Sequence, residues 1–482
     1  MQKIAQTFFT IYFLLIATQL TAQSDNSWSL QRCVQYALDH NISIQQDVLN
    51  ARLAKYTFMQ SQLAQLPSVN TSGNYGRSYG RSIDPTSNQF VNADYDFVSI
   101  SGTANVLLFG WFQQRNIINR NKFSMKASNA DLDQLKDDVS LNVATGYLRA
   151  LLAKEQIHTS EKQVELSKAQ YNQTKSFADA GRLPELNVAQ LESQLATDSS
   201  NLITAIANYT SAILDLKTIL NLDFDAPFEI FVPDVKDVDQ TGLATYTPEQ
   251  VYQQAHGHFG AIKSSEFKVS AAQSSLAASK GGLYPQLSFG AQFGTNWAST
   301  YKSLQGYSFT SLQPNGSVAY NSASHTYDTV YQPGILPIYQ NVSLANQLNN
   351  NFRQTYALSL NVPIFNAWQG QYAVRQAKIN LKTQELNHYQ AELTLKQNVY
   401  KAYSDARSSL QKYNAALRAY EAAARALDFA KKRYDLGLTN TVDYLVTQNA
   451  AYAAESSLNS AKYDLVFKLK VIDYYLGKEI KL

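Results

Sequence analysis

Val98-Ser-Ile-Ser-Gly-Thr-Ala-Asn-Val-Leu-Leu-Phe109-Gly-Trp111 decides the reading of this chain. Its even positions are Val98, Ile100, Gly102, Ala104, Val106 and Leu108; its odd positions begin Ser99, Ser101, Thr103, Asn105. An alternation this long predicts a strand with one apolar and one wet face, the pattern of a barrel wall in lipid. The same parity returns downstream. Tyr356, Leu358, Leu360, Val362 and Ile364 alternate with Thr355, Ala357, Ser359 and Asn361, ahead of Phe365-Asn-Ala-Trp368. Two further strands are predicted, at Gln286–Phe293 and, less regularly, Val69–Arg77. Each is about ten residues, enough to cross a bilayer when tilted. Phe109, Trp111, Phe365 and Trp368 then mark the strand-to-helix junctions, where an interfacial aromatic belt belongs. Four strands cannot close a barrel, and lipid does not tolerate an open sheet edge, so the subunit must oligomerise.

The repetition extends outward. Phe109 and Phe365 lie 256 positions apart, and so do Gly181 of Gly181-Arg-Leu-Pro-Glu-Leu-Asn187 and Gly437 of Gly437-Leu-Thr-Asn-Thr-Val-Asp443. Two anchors in one register imply a unit written twice. An earlier pair, Leu66-Pro67-Ser68-Val69 and Tyr284-Pro285-Gln286-Leu287, has its prolines 218 apart. The 38-residue difference between these offsets (256 and 218) places an insertion in the second copy. Residues 296–351, rich in Ser, Asn, Gln, Tyr and Gly with only Lys302 and Asp328 charged, read as a long polar extracellular loop. The chain therefore divides into residues 1–22, a first repeat at 23–235 and a second at 236–482.

Between the anchors the period changes. Val143, Ala150, Ile157, Val164 and Tyr171 recur every seven residues, and Val399, Ala406, Tyr413, Tyr420 and Leu427 repeat the line 256 positions on. That repeat specifies a left-handed coiled coil. The 72 residues from Phe109 to Gly181 would span roughly 108 Å as helix. Gly181 and Gly437 stand where helices end in a left-handed residue. Pro184 suits the first turn of a following helix, and shorter helices are predicted at 184–220 and 440–476. Two more precede the strands at 30–66 and 248–284, the second opened by the capping box Thr247-Pro-Glu-Gln250. Each is about half the long helix, so two stacked short helices match one long one. The fold class is mainly α with β: a duplicated β-β-α unit.

Residues 1–22 read as a signal peptide: Lys3, then the mostly apolar Phe8–Leu20, then Ala22 at the cleavage site. Cys33 is the single cysteine, which removes a disulfide scaffold from consideration. A net charge of +3 gives no case for nucleic acid. No phosphate loop, nucleophile elbow or dinucleotide turn occurs, so no enzyme activity and no cofactor is expected. His256-Gly-His258 is the one close histidine pair; it lacks a neighbouring carboxylate set, and no metal site is assigned.

With these features in order, the chain resembles the TolC family of outer-membrane efflux proteins over essentially its whole mature length. The junctions at 105–111 and 361–368 and the glycine turns at 180–192 and 436–448 carry the resemblance. Arg77-Ser-Tyr-Gly-Arg81-Ser-Ile-Asp-Pro-Thr through Asn92 is similar to Bacteroidetes members. The resemblance implies a homotrimer with a 12-stranded barrel in outer-membrane lipid and a helical tunnel into the periplasm. It implies an equatorial layer from residues 222–246 and the C-terminus. It implies a periplasmic adaptor protein docked at Gly181, Arg182, Leu183, Gly437, Leu438 and Thr439, linked to an inner-membrane pump. It places Asp443 and Tyr434 at the pore constriction. A second acidic position falls on Val446, and the arginine–acid lock of some members falls on Thr439 and Asn187, so that lock is absent. The expected function is the channel of a tripartite efflux system. The alternatives are the channel of a type I protein secretion system and a structural periplasmic coiled-coil protein.

Overall fold

The computed structural model describes residues 27–83, 88–232 and 245–478. The signal segment lies outside the described residues. In chain order the elements are β1 (Ser27–Trp28), α1 (Leu30–His40), α2 (Ile42–Leu63), β2 (Ser68–Ser78), β3 (Arg81–Ile83), β4 (Phe90–Asn92), β5 (Tyr95–Phe109), α3 (Gln113–Asp179), α4 (Glu185–Leu220) and β6 (Glu229–Ile230). The second copy follows as α5 (Pro248–His258), α6 (Gly260–Gly281), β7 (Gln286–Ala298), β8 (Lys302–Asn321), β9 (Thr326–Asn341), α7 (Leu344–Asn350), β10 (Arg353–Asn361), α8 (Gln369–Asp435) and α9 (Thr441–Tyr475). The described residues form two compact units, one drawn from within 1–57, 120–273 and 379–482, the other from within 58–119 and 274–378. No helix among the described residues is long and apolar enough to cross a membrane.

The first unit is helical. α3 and α8 each have 67 residues, and both their ends are 256 positions apart. At 1.5 Å per residue each is roughly 100 Å long. The core gathers Leu30, Cys33, Val143, Tyr147, Leu151, Leu216, Leu220, Val251, Val399 and Ile472. Beside it β1 and β6 form a two-residue parallel pair. The buried Tyr147 hydroxyl lies 2.9 Å from the Trp28 carbonyl oxygen and 2.5 Å from that of Phe231, donating to both. This pins residues near 28 and 231 to α3. From the C-terminus, Tyr474 and Tyr475 pack against Phe259.

The uninterrupted helices predicted at 30–66 and 248–284 are each broken. α1 ends at Asn41 and α5 at Phe259, both in extended conformation and 218 positions apart. The first break has neither proline nor glycine, while the second is flanked by Gly257 and by Gly260, where a side chain would collide with Ala130 and Gln134 of α3. The Asn41 carboxamide accepts from the Ser43 and Ile44 amides and donates to the Ile219 carbonyl at 3.1 Å. At the second break Gln134, on α3, accepts from the Ala261 amide at 3.1 Å. A helix end needs its orphaned amides satisfied: Asn41 itself satisfies them at the first break, and a neighbouring helix contributes at the second. α4 also starts one residue later than expected: Pro184 is its extended N-cap.

The second unit holds an antiparallel sheet in the order β10-β7-β5-β2. Its register separates the faces. Val106 opposes Phe289, Ala104 opposes Ala291, and Val98 opposes Trp297. Leu358 opposes Phe289, and Val69 opposes Ala104. All lie on one side. Asn105, Thr103, Ser101, Ser288, Gln292, Ser359, Asn70 and Ser72 share the other. The polar face carries cross-strand hydroxyl bonds, as between Ser72 and Ser101 at 2.8 Å. β2 and β10 are edge strands with unpaired outer rims. β10 stops at Asn361 rather than at Ile364, because Pro363 has no amide to donate.

Residues 296–351 are not a loop. β7 continues to Ala298, and β8 and β9 then form a hairpin of 20- and 16-residue strands, followed by the short helix α7. Bulges between Leu304 and Gly306, and between Thr310 and Leu312, each add one residue and reverse the parity of β8. Leu304, Tyr307, Phe309 and Leu312 thus share a face although their spacing in sequence is irregular.

Candidate functional site

Four helix ends meet where α3 turns into α4 and α8 into α9. Each turn closes in the same way. Gly181 and Gly437 both have φ of +73°. The Gly181 amide donates to Ala178 and the Arg182 amide to Phe177; Gly437 and Leu438 donate to Tyr434 and Arg433. This is a Schellman closure, in which only glycine adopts the left-handed conformation without penalty. No atom lies within 4 Å of where a Cβ would project from either glycine. Arg182 is exposed and stacks its guanidinium 5.4 Å from the Phe177 ring. Leu183 and Thr439 are half-buried, while Leu438 joins the exposed Leu186, Leu436, Val442 and Val446 around the turns.

Tyr434 and Asp443 take different environments. The Tyr434 ring stacks on Tyr444 with centroids 4.8 Å apart, and its hydroxyl lies 3.1 Å from Thr174 Oγ1 and 3.4 Å from Thr441 Oγ1. Asp443 is exposed at the start of α9. Its amide donates to Asn440 Oδ1 at 2.7 Å, and its carboxylate accepts from Asn440 Nδ2 at 2.8 Å. That reciprocal cap holds the carboxylate at the turn, next to the positive end of the helix dipole.

The residues behind these turns were not singled out in the sequence. Thr159, Ser160, Gln163, Ser167, Gln170 and Thr174 form a buried polar stripe along α3. Gln170 Nε2 donates to the Tyr444 hydroxyl; Ser160 and Gln156 both bond the Tyr452 hydroxyl. Burial pushes the Tyr444 phenol up to about 12. Asp198, 2% exposed, accepts from Ser167, from Gln163 at 3.3 Å and from Gln194 at 2.9 Å. A signal was present: Leu191, Asp198 and Ala205 are seven apart, so Asp198 stands at a heptad core position. Both amide atoms of buried Gln448 and Oε1 of Gln170 find no partner among the described residues. The helical unit thus changes from an apolar core around Tyr147 to a polar one toward the turns.

At the junctions β5 ends on Phe109, whereas β10 ends at Asn361, four residues before Phe365. Trp111 and Phe112 have φ of +48° and +59°, Ala367 and Trp368 of +52° and +67°. Trp368 is therefore the counterpart of Phe112, 256 positions earlier. Left-handed conformation costs a non-glycine residue roughly 1–2 kcal/mol, so the surroundings must hold these turns. Trp111 packs 4.9 Å from Tyr284 and 5.5 Å from Phe109. Phe365 is 87% exposed, and Trp368 carries the Arg375 guanidinium 5.3 Å from its ring. His256 and His258 do not converge. His256 Nε2 lies 3.1 Å from Glu392, while His258 Nδ1 donates to the Gln254 carbonyl. Among the described residues no group of three His, Cys, Asp or Glu is arranged to hold a metal.

The sequence profile of the outer membrane efflux protein family matches residues 33–222 and 251–478. The chain is 20% identical to the toxin and drug export protein A of Aggregatibacter actinomycetemcomitans over 439 residues, 91% of this chain and 83% of that one. Its fold is shared with the outer membrane protein VceC of Vibrio cholerae (TM-score 0.72, 13% identity, 94% and 96% covered). It is shared equally with the Campylobacter jejuni CmeC outer membrane channel (TM-score 0.71, 17% identity, 94% and 86% covered).

Proposed function

Because the chain belongs to the outer membrane efflux protein family, we propose that this outer-membrane channel is the exit duct of a tripartite efflux system. It works as a homotrimer, passing small molecules delivered by a periplasmic adaptor and an inner-membrane pump. The register of the four-stranded sheet carries this reading. One face is mainly apolar on β5, β7 and β10 and takes Val69 and Tyr75 from β2, the other is mainly polar, and among the described residues neither edge strand has an outer neighbour. Such a sheet is stable in lipid only when copies supply the missing strands. The same observation disfavours a purely structural coiled-coil protein.

Gly181, Arg182, Leu183, Gly437, Leu438 and Thr439 form the adaptor-docking turns in this reading, and Asp443 contributes one carboxylate per subunit to a ring at the entrance. Tyr434 closes that end with Thr174 and Thr441 in place of the arginine–acid lock. Phe109, Trp111, Phe365 and Trp368 sit at the membrane–water interface on the periplasmic side of the outer membrane. The name of the Aggregatibacter relative covers toxin as well as drug export, which keeps type I protein secretion as the second reading.

The test is conductance of the purified protein in planar bilayers, with Asp443→Asn keeping a side chain able to bond Asn440. A cation-selective channel that loses selectivity in the variant is expected. An unaltered selectivity removes Asp443 from the constriction, and a monomer without conductance removes the channel. A deletion strain that gains drug sensitivity with an unchanged secreted proteome supports efflux over secretion; the opposite pair of outcomes supports secretion.

A further inference from the structure

The hairpin β8–β9 contains no core of its own, yet one of its faces is built like one. Leu304, Tyr307, Phe309 and Leu312 on β8 oppose Tyr339, Pro337, Ile335 and Pro333 on β9. Phe309 is 72% exposed and Ile335 59%. The opposite face is more polar: Ser303, Gly306, Ser308, Thr310 and Gln313 stand against Gln340, Ile338, Leu336, Gly334 and Gln332. A free two-stranded ribbon is marginal in water, and an apolar face this long marks a contact surface. We propose that this face is covered by the same face of the other copies of the chain. The ribbons then form a collar around the axis of the trimer, outside the barrel sheet. The inference rests on the trimeric channel reading above.

Four observations select that occupant. Lipid is excluded, because a two-stranded ribbon has two open edges and hydrocarbon leaves unpaired amides unsatisfied. Strand addition by a foreign chain is disfavoured: Pro314, Pro333 and Pro337 remove donors, and three irregularities break the ladder. Packing face to face is what remains. The ribbon is also fixed beside the subunit edge. Buried Gln347 on α7 accepts from the Ala298 amide at 3.0 Å and donates to the carbonyls of Ala298 and Val342 at 3.1 and 2.9 Å. Thr295 donates to Leu348, and Asn351 to Asn296. These bonds hold the hairpin base to the end of β7, and the chain passes from there directly into edge strand β10. Each ribbon is therefore rooted next to the edge that receives a neighbouring copy. Lys302 and Asp328 are the only charges in 296–351, so three copies meet without like-charge repulsion.

Cysteines placed one residue apart test the faces on the full-length protein in intact cells. Phe309→Cys lies on the apolar face and Ser308→Cys on the other; Tyr331→Cys is a second apolar-face probe. Native Cys33 is fully buried and stays silent. A bismaleimide is expected to join Phe309→Cys protomers into dimers and trimers but not Ser308→Cys protomers. A membrane-impermeant maleimide should label Phe309→Cys at least tenfold more slowly. Equal labelling of both sites in an intact trimer overturns the collar while leaving the channel standing. Protection of Phe309→Cys without cross-linking also overturns it, since something other than a copy then covers the face. A monomeric product refutes the channel reading on which the collar depends.

Discussion

Gly181→Ala and Gly437→Ala isolate the backbone contribution of the two turns. At +73° an alanine is strained, and because nothing lies within 4 Å of the new methyl, no clash adds to the cost. The penalty is then the conformational one alone, roughly 1–2 kcal/mol at each site. Unfolding an entire 67-residue helix is not needed to relieve it. Opening the turn suffices, which breaks the Arg182-to-Phe177 and Leu438-to-Arg433 bonds. Since 1.4 kcal/mol is a factor of ten, opening should become about 5- to 30-fold more frequent. Hydrogen exchange by mass spectrometry on the purified protein reads this directly. Amides of Arg182 and Leu438 are expected to exchange about 5- to 30-fold faster, while those around Tyr147 keep their protection. Asparagine, which tolerates the left-handed region better, should cost less at the same sites. Exchange unchanged within twofold would refute the argument that strain at these glycines sets the stability of the turns. Faster exchange along all of α3 or α8 would show that the turns are not independent units.

Three further outcomes follow from side-chain environments. Leu358→Arg puts a charge on the apolar face of β10 and should cost about 2–4 kcal/mol in the membrane, abolishing heat-modifiable trimers, whereas Ser359→Arg on the polar face should retain them. Asp198→Ala leaves Ser167, Gln163 and Gln194 donors facing a void and should lower stability by about 1–3 kcal/mol, read as a fall in melting temperature. Tyr444 keeps its proton to about 12 when folded but loses it near 10 when unfolded. Its contribution is therefore intact below pH 10 and disappears between pH 10 and 12, a loss of roughly 2–3 kcal/mol that Tyr444→Phe should remove from the pH-dependent melting curve.

The duplication and the sheet were legible because both depend on periods within one chain. Val98 to Val106 alternate, and their register with β7 keeps every even residue on the same face. The glycine turns were legible for the same local reason. What stayed hidden depends on partners distant in sequence. The break at Phe259 depends on Gln134 of α3, which takes the Ala261 amide and packs against Gly260; the break at Asn41 carried a local signal, a capping asparagine that takes the Ser43 and Ile44 amides. The β8–β9 hairpin was hidden by its bulges, which scramble the two-residue period that identifies a strand. The 256-residue offset read from Phe109 and Phe365 carries through the junction, where the left-handed pair Trp111-Phe112 returns as Ala367-Trp368. Asp198 sat visibly in a heptad core position; only its three donors explain why a carboxylate is kept there.

The equal span of α3 and α8 has a consequence for how such a molecule can change. Removing one residue inside either would rotate everything beyond it by about 100° and draw it back by about 1.5 Å. The stripe from Thr159 to Thr174 would swing out of its seam, and the two turns would no longer arrive at one level. Substitution inside the shaft is open, but its length is locked. New residues have room only past the strand ends, where the second copy has already admitted 38.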